Sequence, residues 1–179
     1  MNSKDLENYI QPSITGLLGY VLYLVVGIIV TFIGIESSGL AIIGLIIAIV
    51  NGVILYVEIK KRKELTTKIE TLNQQGYMDF VLKEFEEASS FLGNNLRLGE
   101  RNIFGKHSGI ILGYNSIKKI YQKIYKVNFA ERKRSLCVET VDDKTYEIGK
   151  LKLEGKSDNE LKEIMIFFLS KNKNIVIGH

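Results

Sequence analysis

Few of the side chains that build catalytic and metal centres occur in this chain: of 179 residues, one is cysteine and two are histidine. A single cysteine, Cys137, excludes an internal disulfide and suits a reducing compartment. Set between Leu136 and Val138, it reads as a small core or strand residue. His107 and His179 alone give no Cys/His spacing on which zinc could be held. His107 sits in Gly105-Lys106-His107-Ser108-Gly109, a turn with no carboxylate close in sequence to make it a general base. The same turn lacks the Gly-Lys-Ser/Thr ending of a phosphate loop. A non-enzymatic protein with no catalytic residues, cofactor or metal is therefore expected.

Charge is missing from two long stretches. Tyr9 to Ile35 and Ser37 to Val57 are uncharged apolar runs separated by Glu36 alone and followed by Lys60-Lys61-Arg62-Lys63. Each can cross roughly 30 Å of hydrocarbon as a helix, and so short a connection makes a tight hairpin, with spans at about 13–35 and 39–57. Basic residues are retained on the cytoplasmic side. The hairpin Glu36-Ser37-Ser38-Gly39 has none, so both termini are expected in the cytoplasm of a two-span cell-membrane protein. A cleaved signal peptide is disfavoured, because Asp5 and Glu7 stand where a basic segment belongs and a second span follows directly. Neither span holds an acid, base or histidine, which argues against a transport path. Gly44, Ala48 and Gly52 recur every fourth residue, a face on which the first helix, or another copy in a homo-oligomer, can approach closely. Asn51 falls near the depth of Tyr20 and Tyr23, and a bond to either would satisfy its amide.

Of the 24 Lys and Arg only Lys4 precedes Glu58, and of the 20 Asp and Glu only Asp5, Glu7 and Glu36 do, which leaves a surplus of six positive charges after Val57. A helix rich in Glu, Lys, Leu and Gln should carry the second span on through 58–76 and stop at Gly76. The remaining 77–179 is long enough for one domain with its own core. Met78, Val81, Leu82, Phe85, Ala88 and Phe91-Leu92 have helical spacing, with Asp79, Lys83, Glu84, Glu86 and Glu87 as the solvated face and Gly93-Asn94-Asn95 as the end. Alternation then predicts strands at Leu96–Phe104, Gly109–Leu112, Leu136–Val141 and Thr145–Ile148, with a hairpin turn at Asp142-Asp143-Lys144. Ile117–Phe129 fits both periods and is assigned to a strand for its β-branched and aromatic content. Ser157 and Glu160 read as a capping box opening a helix to about Lys171, ahead of the apolar end Asn174–Gly178. The expected class is α+β: an N-terminal tail and two-helix transmembrane hairpin at 1–57, a juxtamembrane helix, and an antiparallel β domain closed by a C-terminal helix.

The string Asn95-Leu96-Arg97-Leu98-Gly99-Glu100-Arg101-Asn102-Ile103-Phe104, then Ile110 to Tyr121, a hairpin and a helix, resembles bacterial membrane-tethered pleckstrin-homology-like domains. The chain as a whole is similar to uncharacterised two-span membrane proteins of Gram-positive bacteria. Gly113 stands where that pattern usually has proline. The resemblance implies an open barrel plugged by its last helix.

The candidate binding surface is Lys118, Lys119, Lys123, Lys126, Arg132, Lys133 and Arg134, interleaved with Tyr121, Tyr125 and Phe129. Such cations suit anionic headgroups of the membrane that holds the domain, while the stacking motifs of nucleic-acid modules are missing. A solvated strand edge whose lysines block aggregation is the plainer alternative. The expectation is a membrane-anchored binding or scaffold module engaging a protein partner or anionic lipid; the alternative is an immunity protein shielding the membrane from a toxin or bacteriocin.

Overall fold

The computed structural model describes residues 3–127, 130–151 and 156–178, and opens with a short helix, α1 (Ser3–Ile10). Gln11-Pro12-Ser13 interrupts the first apolar run, because proline donates no backbone bond and disfavours helix in the residue before it. The helix resumes as α2 (Ile14–Ile33), turns through Gly34–Glu36, and returns as α3 (Ser38–Gln74). As its composition predicts, α3 runs unbroken past Val57. It ends at Gly76 (φ +71°), with Gly76 N–H donating to Asn73 O and Tyr77 N–H to Leu72 O, a glycine-dependent C-terminal cap.

Next come α4 (Met78–Glu87), β1 (Ser89–Phe91), β2 (Leu96–Leu98), β3 (Asn102–Gly105), β4 (Ile110–Gly113), β5 (Ile117–Val127), β6 (Ala130–Thr140), β7 (Thr145–Leu151), α5 (Lys156–Lys171) and β8 (Val176–Gly178). β1 to β4 form an antiparallel meander; the second sheet has the order β7-β6-β5-β8, antiparallel except for β8, which joins β5 in parallel. This is the α+β arrangement expected, and Ile117 onward is a strand with its hairpin turn at Asp142-Asp143-Lys144, where Asp143 has φ +57°.

Several expectations need correction, among them the start of β6, which opens at Ala130 and not at Leu136. The helix opened by Met78 does not reach Leu92: Ala88 is extended, and Ser89–Phe91 pair with Leu96–Leu98, so Gly93 to Asn95 form a strand turn. Leu96–Phe104 is two strands, not one. Gly99-Glu100-Arg101 folds it into a hairpin, because Glu84 accepts hydrogen bonds from the backbone N–H groups of Arg101 and Asn102 and from Asn102 Nδ2. Ser157 as a cap, Phe129 and His179 lie outside the described residues or side chains.

The chain forms two compact units, Pro12–Lys68 and Met1–Gln11 with Ile69–His179. In the first, α2 and α3 are antiparallel and close. A Cβ on Gly44 would fall 2.4 Å from Thr31 N, one on Gly27 2.6 Å from Ala48 N, and one on Gly52 3.2 Å from Leu24 Cδ1. The small-residue face is thus spent on the neighbouring helix of the same chain. Asn51 Nδ2 donates to Ile47 O at 2.8 Å within its own helix; Tyr20 is half-buried, Tyr23 exposed, and the expected bond to them is replaced by this local one. Both helices are long and apolar enough to cross a membrane, and their apolar side chains are largely exposed, Leu18, Leu22, Phe32, Ile46 and Ile49 among them. Arg62 Nη2 donates to Pro12 O at 2.6 Å, so the two ends of the hairpin meet.

In the second unit the two sheets and α5 enclose a core of Leu96, Leu98, Ile103, Ile110, Ile117, Ile120, Leu136, Val138, Ile164 and Phe168. The other face of the first sheet is covered by α1 and α4: Phe85 packs edge-on against Phe104 and Tyr9, and Leu6 and Ile10 are fully buried. The N-terminal segment, read from sequence as a tail, is structural. Tyr9 O and Ile10 O, left orphaned at the end of α1, accept from His107 N and Gly109 N, and His107 Nδ1 meets Gln11 O at 2.9 Å. His107 (φ +55°) therefore serves the fold.

Candidate functional site

Strand alternation decides which of the basic residues act together. On β5, Lys119, Tyr121, Lys123 and Tyr125 share one face, because successive side chains point to opposite sides. Their partners across β6 are Glu139, Cys137, Ser135 and Lys133, and across β7 Ser135 stands opposite Lys150 and Cys137 opposite Glu147. The other face sends Ile120, Leu136 and Val138 into the core. Lys119, Lys123, Lys133 and Lys150 thus gather with two tyrosines on the sheet face turned away from the core. Lys119 Nζ lies 5.3 Å from the centre of the Tyr121 ring, and Lys123 and Lys133 each lie 5.1 Å from that of Tyr125.

The remaining members of the sequence-read cluster lie elsewhere. Lys118 is engaged by Asp143 at 2.8 Å and Glu139 at 3.1 Å, which hold its ammonium above the usual range. Arg134 Nε lies 3.2 Å from Glu131 and Nη1 3.6 Å from Asp158 of α5, on the core side of the sheet. Lys126 faces Glu131 beyond a break in register after Tyr125, and the side chain of Arg132 lies outside the described ones. Lys150 and Ser135 were not read from sequence as part of the surface; the pairing of β6 with β5 sets Ser135 opposite Lys123, and the bulged pairing of β6 with β7 brings Lys150 beside it.

Small residues lie beneath this layer. Cys137 is buried, and burial pushes its thiol up, so it stays protonated rather than reactive. Ser135 is 0% exposed and its Oγ has no hydrogen-bond partner. Counter-charge is present too: Glu147 Oε2 lies 2.9 Å from Lys133 Nζ.

A cleft of about 280 Å³ elsewhere is lined by Glu84, Glu87, Ser89, Leu98, Gly99, Glu100, Phe167 and Lys171. Two of its three acids are committed, and Glu87 is exposed, 3.9 Å from Lys83. Glu84 holds the β2–β3 turn, and Glu100 pairs with Lys171 at 2.6 Å, a bond that draws its carboxyl below the usual range. Among the described residues no group of three or more His, Cys, Asp and Glu is placed to hold a metal ion. Comparison with protein-family models, curated proteins and solved structures returned no match.

Proposed function

We propose that this chain is a membrane-anchored, non-enzymatic binding module whose β domain presents the Lys119, Lys123, Lys133 and Lys150 face to the anionic headgroups of the cytoplasmic leaflet. One observation carries the reading: four cations and two tyrosines share one sheet face against two carboxylates, Glu139 opposite Lys119 and Glu147 paired with Lys133. Each basic residue near an anionic surface is worth about 1 kcal/mol, and anchoring removes most of the cost of bringing domain and surface together. A four-strand meander, a three-strand meander and a helix over the core support the pleckstrin-homology-like reading, with β8 as an addition.

Lysine footprinting tests this on the full chain, reconstituted in phosphatidylcholine bilayers with or without phosphatidylglycerol. Lys119, Lys123, Lys133 and Lys150 should be protected from acetylation only where anionic lipid is present, and salt should abolish the protection. Lys83, on another element, should react alike in both. Equal modification of the four in both bilayers would sink the lipid reading and leave a protein as the partner.

A further inference from the structure

We infer that Ser135, flanked by Lys123 on β5, Lys150 on β7 and Lys133 two residues earlier on β6, is the floor of a subsite for a phosphomonoester group. This rests on the proposed basic face and deepens it, from attraction to a charged surface to recognition of one chemical group.

A hydroxyl is both donor and acceptor, and one buried without a partner costs stability. Ser135 Oγ is such a group, at the centre of the most basic face of the domain. Register puts Lys123 directly opposite it on one side and Lys150 on the other, and residues directly opposite in an antiparallel pair stand on the same face. Lys133 completes the set along the strand. Three lysines on the residues around one hydroxyl, two of them with ammonium groups now resting over Tyr125, can be turned toward a tetrahedral anion with oxygens to spare. A monoester carries close to two negative charges at neutral pH where a diester carries one, so it gains more from three lysines. Glu147, on Lys133, and Glu139, farther along the face, oppose any anion and raise the demand for charge in the ligand, which favours the monoester further. Tyr121 and Tyr125 wall the β5 side, and the Lys123 and Lys133 ammonium groups lie over Tyr125, already drawn to this part of the sheet. Ser135 is itself fully buried, so entry requires the side chains above it to move, and of its flanking lysines Lys123 and Lys150 are exposed.

The phosphate could belong to a lipid headgroup or to a soluble compound, and calorimetry on the full chain in uncharged detergent micelles separates them. Three probes are titrated: dihexanoyl phosphatidic acid, dihexanoyl phosphatidylglycerol and inorganic phosphate. Phosphatidic acid should bind about tenfold or more tighter than phosphatidylglycerol, and Ser135→Ala should remove that preference while leaving phosphatidylglycerol binding in place. Because the variant loses only an unpartnered hydroxyl, its melting temperature without ligand should equal or exceed that of the native chain, which separates loss of binding from loss of fold. Inorganic phosphate binding as tightly as phosphatidic acid would keep the subsite and assign it a soluble ligand. Equal binding of both lipids, or an unchanged preference in Ser135→Ala, would overturn the subsite while the basic-face reading stands. Binding of neither lipid would overturn both.

Discussion

Glu84 shows how one side chain can reverse the reading of a helix face. Its place among Asp79, Lys83, Glu86 and Glu87 marks it as solvated, yet it is 5% exposed and accepts three hydrogen bonds from the β2–β3 turn. It stands one position before Phe85, at the margin of the apolar stripe, and Gly99 leaves it room: a Cβ there would sit 2.6 Å from Glu84 Oε1. Glu84→Ala leaves two backbone N–H groups and an amide without their acceptor and should cost about 3 kcal/mol; Glu84→Gln, which keeps one acceptor oxygen, should cost less. Urea denaturation of the full chain in detergent micelles would measure both. A midpoint unchanged in Glu84→Ala would mean that water replaces the carboxylate at no cost. No sequence pattern separates this glutamate from its neighbours, because what buries it is a turn 15 or more residues later.

Among the elements, α1 matters more than its eight residues suggest. It joins the β domain through the fully buried Leu6 and Ile10, through Tyr9 against Phe85, and through the Arg97 guanidinium, 5.3 Å from the Tyr9 ring centre and 4.5 Å from that of Phe85. A fragment beginning at Tyr77 leaves those seats open and exposes Phe85 and Phe104 to water. It should therefore self-associate, whereas in the full chain Leu6→Ala and Ile10→Ala should each cost about 2–5 kcal/mol as buried cavities. Analytical ultracentrifugation of the fragment and denaturation of the two variants would check this, and a monomeric fragment would make α1 dispensable. The strong periodicities were legible: two apolar helices, the long α3, β5, β7, the second half of β6 and the last helix follow from local pattern, while Ala130–Ser135, too charged to read as a strand, is the first half of β6. Short strands were not legible. Ser89–Phe91 continues a helical spacing, and Leu96–Phe104, read as one strand, is folded in two at Gly99-Glu100-Arg101, where Glu84 holds the turn. The basic surface was legible as composition, but its geometry was not. Lys118 and Arg134 fell to carboxylates, and Lys150 entered through a bulge between strands 15 residues apart in register.

At the scale of the molecule, charge and hydropathy are divided so sharply that location is the most legible property of the chain. All Lys and Arg but Lys4 lie beyond Val57, where the second apolar run ends, the Glu36–Ser37 turn has no cation, and Arg62 closes the open end of the hairpin on Pro12. If the hairpin spans the membrane, moving the basic stretch 60–63 across it would place four cations on the wrong side, so the Ser37 end is expected to face outward. The buried Cys137 makes a clean background for testing this, since its thiol is inaccessible. A membrane-impermeant maleimide applied to intact cells should label Ser37→Cys. Lys173→Cys, an exposed position after the last helix, should react only once the cells are opened. The reverse pattern would place the β domain outside, away from the anionic leaflet that its lysine face is proposed to meet, and labelling at neither site in intact cells would mean that the hairpin does not cross.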